Sequence, residues 1–220
     1  MATLLLRLAA PLQSWGNDSK FDTRMTENEP TKSGVIGLLA AALGRRRDES
    51  IDDLAGLKFG VRVDKDGVLL RDFHTAKSNK SAYVTNRYYL SDAVFIAGVE
   101  SDDKEFLEKL EFALKNPKFP LFLGRRSCPP TLPICLGVRD TTLIDTLKLE
   151  KCHAEGRNSS KPFRIQIDDE GGNIMSRRKD VPISFNPEYR QYGYRIVKEE
   201  FINIENGNET EHDAMAELED

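Results

Sequence analysis

Apolar positions recur every second residue in several short runs and at helical spacing in two longer ones, and their order predicts the elements of the chain. Residues 3–8, TLLLRL, place Leu4, Leu6 and Leu8 on one face of a strand that stops at Pro11. A polar stretch from Gln13 to Lys32 follows, long for a plain connection and therefore expected to be functional or disordered. At PTKSG, Thr31 or Ser33 can cap a helix carrying Val35, Ile36, Leu38, Leu39, Ala42 and Leu43, closed by Gly44. This helix is apolar nearly all round and must be covered, while Gly34 and Gly37 allow its first turn to approach a strand or a ligand closely. LKFGVRV at 57–63 reads as a strand, Gly67 turns into VLLRDFH, and the polar run AKSNKSAYVTNR leads to a further strand, YLSDAVFIAGV, at 89–99. Ser101 is the expected cap of a second helix with Phe106, Leu107, Leu110, Ala113 and Leu114 on its apolar side and Asn116-Pro117 as its stop. Residues 134–138 give one more strand.

The order over 1–140 is strand, helix, strand, a hairpin-like excursion, strand, helix, strand. It predicts an α+β domain of the ferredoxin-like, split βαβ type with an insertion between its second and third strands. Beyond it, FRIQI, DVPIS and YGYRIVK predict a small β-rich part over 141–202, followed by an acidic tail over 203–220.

Composition narrows the class. With 39% hydrophobic and 31% charged residues in 220, the chain carries material for a packed core and is neither a disordered nor a fibrous protein. Its longest small-or-apolar run, Val35 to Leu43, is about half of the roughly 20 residues a bilayer-spanning helix needs, so no membrane association is expected. The opening MATLLLRLAAPLQSWG has no basic leader, which argues against a secretory signal. Cys128, Cys135 and Cys152 are too few for a disulfide framework or a four-cysteine zinc site, so a reducing cytoplasm is expected and neither metal nor cofactor is called for.

The net charge of −4 hides a division. Seven acids and no Lys or Arg lie between Asn203 and Asp220, which leaves 32 basic against 29 acidic residues, +3, in the body of the chain. The basic residues of interest sit between the regular elements: Arg24 and Lys32 with Gln13, Trp15 and Ser33 in one segment, Lys77, Lys80 and Arg87 with His74 and Tyr83 in a second, and Gly124-Arg125-Arg126-Ser127 in a third. In a split βαβ fold these segments can converge on one side of the sheet, where guanidinium and ammonium groups engage phosphates, backbone N–H groups at Gly124 and Ser33-Gly34 assist, and Trp15, Tyr83 and Tyr88 offer stacking surfaces for splayed bases. Blander readings exist for each: Trp15 as a core plug, Arg24 and Lys32 paired with Asp22, Glu27 or Glu29, and Arg45-Arg46-Arg47 as a solvated helix end. Adjacent arginines in a Gly- and Pro-bounded loop are the hardest to dismiss. Catalytic constellations are poor. His74 as general base or acid with Lys77 or Tyr88 assisting gives the one enzyme alternative, a metal-independent ribonuclease. Arg125 and Arg126 would lower the Cys128 thiol pKa, but it has no neighbouring base in sequence, and a buried cysteine is the commoner case.

At these same residues the sequence resembles the CasD family of type I-E CRISPR Cascade subunits, within the RAMP superfamily. The resembling blocks are LLLRLAAPLQSWG at 4–16, TRMTENEPTKSGVIGLLAAALG at 23–44, LRDFHTA at 70–76, RYYLSDAVF at 87–95 and FLGRRSCPP at 122–130. The resemblance implies an RRM-like domain with a thumb inserted at about 76–87 and a Gly-rich loop at 124–127. It implies a non-catalytic antiviral-defence subunit that holds the 5′ handle of the crRNA and caps the CasC backbone filament, in a complex that also contains CasA, CasB and CasE. A short thumb and the acidic tail depart from the family pattern.

Overall fold

The computed structural model describes residues 1–16, 22–77, 82–156, 161–169 and 176–203. Eleven strands and four helices are formed by these residues: β1 (Ala2–Ala9), β2 (Leu12–Gln13), β3 (Thr23–Arg24), α1 (Lys32–Leu43), α2 (Asp52–Ala55), β4 (Lys58–Lys65), β5 (Val68–Lys77), β6 (Ala82–Ser91), β7 (Val94–Ser101), α3 (Lys104–Lys115), β8 (Cys135–Arg139), α4 (Leu143–Leu149), β9 (Phe163–Asp168), β10 (Ser176–Ser184) and β11 (Gln191–Ile202). The class is mixed α+β, built on a large antiparallel sheet.

That sheet has seven strands in the order β10-β11-β9-β4-β7-β1-β8. Leu4, Leu6 and Leu8 of β1 join Phe59, Val61, Val63, Phe95, Ala97 and Val99 under α1 and α3 in the main core. Leu5 points the other way, and with Ile96 and Ile165 it packs under α4. Because the central strands are covered on both faces, β1 is apolar at nearly every position rather than alternating.

Helix α1 begins where Thr31 Oγ1 accepts from Gly34 N and ends at Gly44 in the left-handed conformation, so Thr31 rather than Ser33 is the cap. The close approach at Gly34 is made by the Trp15 ring, which a Cβ there would meet at 2.8 Å. Helix α3 is capped by Asp103, whose side chain accepts from Phe106 N, while Ser101 Oγ accepts from Asp103 N one turn earlier. The expected strand 89–99 breaks at Asp92 and Ala93, where a positive φ at Asp92 ends β6 and lets β7 enter the main sheet.

Two larger departures matter for the site. The polar run after LRDFHTA is mostly strand: β5 and β6 pair in register from Val68–Ser91 to Lys77–Ala82, a ribbon of ten pairs that leaves the main sheet as a continuation of β4 and β7. On its free edge β6 also pairs antiparallel with β2 and parallel with β3, so a second sheet forms here. The strands after residue 141 add β9, β11 and β10 to the seven-stranded sheet and α4 to its far face, instead of forming a sheet of their own. Residues of the acidic tail from 204 onward lie outside the described residues.

Candidate nucleic-acid interface

Three of the sequence segments meet at the second sheet. Arg24 on β3 stands in register beside Arg87 on β6. The loop carrying Arg125 reaches them from the other half of the chain: Arg125 Nη2 donates to the Arg24 carbonyl at 2.9 Å and to the Met25 carbonyl at 3.4 Å, and its guanidinium carbon lies 4.6 Å over the Tyr89 ring. Ser127 and Arg87 lie close enough to the same tyrosine to lower the pKa of its hydroxyl.

The loop is held rigidly enough to place Arg125. Leu123 N donates to the Cys128 carbonyl at 2.8 Å and Cys128 N to the Arg125 carbonyl at 2.9 Å, closing a tight turn whose ends, Leu123 and Cys128, are buried. Ser14 N donates to the Leu123 carbonyl, which ties the turn to the chain leaving β2. Gly124 is required at this contact: its φ is +84°, and a Cβ would fall 1.6 Å from the Ser14 carbonyl oxygen.

Electrostatically the cluster is one-sided. Among the described residues, none of Arg24, Arg87, Arg125 and Arg126 has a carboxylate within ion-pair distance. Asp72 stands opposite Arg87 in the ribbon, but its carboxylate is taken by His74 Nε2 at 2.7 Å. Arg87 Nε and Arg125 Nη1 are shielded from solvent and meet no acceptor. Burial, the largest single influence, pushes the Tyr89 phenol up, but the nearby Ser127, Arg125 and Arg87 side chains together outweigh it and hold the phenol below its ordinary value. A shielded donor without an acceptor costs about 1–3 kcal/mol, more for a charged group.

The remaining candidates divide. Arg126, Ser127 and Gly124 are exposed on the same loop. Lys77 is exposed at the far end of β5, and Lys80 lies outside the described residues. Four others lie inside the protein. Trp15 is 1% exposed, and its Nε1 donates to Gln13 Oε1, so it plugs the core and offers no ring to a base. Gln13 is equally buried and donates to the Leu8 and Ala93 carbonyls, tying β1 to the start of β7. Lys32 is buried with its Nζ 3.0 Å from Asp168, and its backbone N–H donates to Asp180. Ser33 is buried beside Thr31. Their polar atoms serve the fold, as the blander reading of Trp15 foresaw; Lys32 pairs with a residue far along the chain rather than with the nearby acids.

The histidine constellation is not assembled. Successive strand residues face opposite sides, so His74 shares a face with Asp72 and Arg87, while Lys77 and Tyr88 belong to the other face of the ribbon. Tyr88 is half-buried opposite Arg71, and Tyr83 is exposed toward the ribbon's tip. The Cys128 thiol is buried, and burial raises its pKa and outweighs the Ser127 hydrogen bond and the Arg125 charge. The residue that sequence reasoning passed over is Tyr89. In Arg87-Tyr88-Tyr89, strand alternation already puts Tyr89, not Tyr88, on the side of Arg87.

No helix among the described residues is long and apolar enough to cross a membrane. Comparison with known proteins places the chain. The description "CRISPR-associated protein (Cas_Cas5)" belongs to a family whose model matches residues 3–198. The CRISPR system Cascade subunit CasD of Escherichia coli strain K12 is 37% identical over 156 residues, covering 61% of this chain and 70% of that protein. A solved structure described as a crystal structure of a Cas protein is 42% identical with a TM-score of 0.76, covering 93% of this chain and 96% of its own. A chain from a CRISPR RNA-guided surveillance complex is 32% identical with a TM-score of 0.78, covering 92% and 90%. On these matches, spread over nearly the whole length, the chain belongs to the Cas5 family of CRISPR-associated proteins.

Proposed function

We propose that this chain is a non-catalytic RNA-holding subunit of a Cascade-type CRISPR surveillance complex, gripping the 5′ handle of the crRNA with the Arg24–Arg87–Arg125 cluster. The observation that carries this reading is the convergence of three arginines from separate parts of the chain around Tyr89, two of them with shielded donors that meet no acceptor. A backbone phosphate of single-stranded RNA supplies the acceptor oxygens these donors lack, and Arg126 and Ser127 extend the contact along the strand. The inner strand order β4-β7-β1-β8, antiparallel throughout with α1 and α3 on one face, supports reading this half as ferredoxin-like.

The β5–β6 ribbon is the thumb, longer than the segment 76–87, and its two faces suit two partners. Arg87 and Tyr89 lie on one face; exposed Leu69, Phe73 and Val84 lie on the other, an apolar surface fit to meet the neighbouring backbone subunit CasC. A subunit that keeps one RNA for the life of a complex gains from backbone contacts and nothing from hydrolysing it. Coexpression with the partner subunits CasA, CasB, CasC and CasE tests the reading. The unaltered chain retains guide RNA in the purified complex, and Arg87→Ala with Arg125→Ala loses it. Full guide retention by a folded double variant overturns the assignment.

A further inference from the structure

The ribbon register sets an acid directly opposite one arginine of the cluster. Asp72 on β5 pairs with Arg87 on β6, and Arg87 pairs on its other side with Arg24 on β3, so the three residues form a row across three strands. In an antiparallel pair the Cβ atoms of opposed residues lie about 4.5–5.5 Å apart, where opposite charges attract; like charges on neighbouring strands repel. Both influences drive the Arg87 guanidinium from Arg24 toward Asp72. The pair is nonetheless not made: among the described residues, no carboxylate lies within ion-pair distance of Arg87.

The Asp72 carboxylate has a different neighbour. His74, two residues on and therefore on the same face, sets its Nε2 2.7 Å from Asp72 Oδ2. A contact this short is attractive only with a proton on Nε2, which either a neutral ring or an imidazolium can carry there. Across the ribbon His74 faces Thr85, whose Oγ1 donates to the His74 carbonyl, so β6 sets no charge directly opposite the ring. Asp22 and Glu27, the acids flanking β3, are exposed and form no ion pair with Arg24 or Arg87. Asp72 is thus the carboxylate that strand pairing sets against the cluster, and His74 is the group that engages it.

We propose that His74 is a positioning residue of the RNA grip, holding the Asp72 carboxylate on its own side of the ribbon so that Arg87 stays available to a phosphate. This rests on the reading of the cluster as the RNA site. The role is not catalytic: the ring acts through Asp72 and touches no RNA. Without it, an internal Asp72–Arg87 pair has to break before a phosphate oxygen can accept from Arg87. The two side chains are 48% and 43% exposed, so their contact contributes little to stability, and its loss leaves the fold in place.

The test is a double-mutant cycle on the full chain, read by fluorescence anisotropy of a short labelled single-stranded RNA at low salt, where exposed charges are least screened. His74→Ala frees Asp72 and weakens binding about two- to fivefold, the range of one exposed ion pair. In the Asp72→Asn background the same substitution has no effect, because no carboxylate is left to close on Arg87, and in the Arg87→Ala background it has none either. A loss that persists with Asp72→Asn means that the ring meets RNA itself, and overturns the proposal. No loss from His74→Ala in a chain that binds RNA through Arg87 overturns it equally. A crystal structure of the His74→Ala variant without RNA reads the same step independently. Movement of the Asp72 carboxylate to within about 4 Å of the Arg87 guanidinium supports the proposal even if the RNA reading fails. A carboxylate that stays apart from Arg87 overturns it even if RNA binds.

Discussion

Two groups of basic residues in this protein look alike in sequence and differ in one respect, their counterions. At the start of α1, Lys32 meets Asp168, and Arg195 bridges Asp168 and Asp180, with side-chain exposures of 1–15% throughout. Beside it, Glu29 accepts from both Arg164 and Arg178. Every cation there faces a carboxylate, and the network fastens α1 to β9, β10 and β11. Among the described residues, no carboxylate stands within ion-pair distance of Arg24, Arg87 or Arg125. A buried charge is tolerated only when paired, so the first group is committed to the fold.

The contrast breaks most visibly from its buried side. Asp180→Ala strands Arg195, and removal of one partner of a buried pair costs about 3–5 kcal/mol, which lowers the thermal midpoint by about 10 °C for a chain of this size. Differential scanning calorimetry measures it, while the molecules that remain folded bind RNA with unchanged salt dependence. Next in size, Arg125→Ala weakens RNA binding about 10- to 100-fold, the range of a lost charge-assisted hydrogen bond of about 1.5–3 kcal/mol, and leaves the midpoint nearly unmoved; fluorescence anisotropy checks the first and calorimetry the second. A sharper pair sets Arg24→Ala against Lys32→Met. The first reduces the salt slope of single-stranded RNA binding by about 0.7, the contribution of one neutralised phosphate, and the second leaves the slope untouched while lowering stability.

The smallest effect is spectroscopic. Arg125 helps to hold the Tyr89 phenol below its ordinary value, and Arg125→Ala raises it, followed as phenolate absorbance in an ultraviolet titration. The sign follows from linkage: a folded-state pKa below the unfolded one stabilises the fold at pH above the unfolded value, and that contribution is lost as pH falls through the folded pKa. The Tyr89 contribution is therefore confined to alkaline solution.

The elements were largely legible because their signals are local. Thr31 and Gly44 bracket α1, Asn116-Pro117 ends α3, and short apolar-rich runs mark β1 and β4. Less visible were the paired β5–β6 ribbon, whose polar composition imitates a loop, and α4, a short helix that packs on β1, β4 and β7, strands remote from it in sequence. The site was half legible. Arg24, Arg87, Arg125, Arg126 and Ser127 announced themselves as basic or polar residues among turn formers. Trp15, Gln13, Lys32 and Ser33 carried the same kind of signal and went to the interior, because nothing nearby in sequence records that Asp168 and Asp180 arrive from the last strands.

Sequence alone determined the periodicities, the caps, the family blocks and the partition of charge between a basic body and an acidic segment, since each depends on residues within a few turns of one another. Only the tertiary structure decided which cations are neutralised and which stay free, because a charge acquires its counterion through long-range strand pairing. The register of β3 on β6 and the anchoring of the Gly124–Ser127 loop against Ser14 bring three arginines together, the outer two 101 residues apart in the chain.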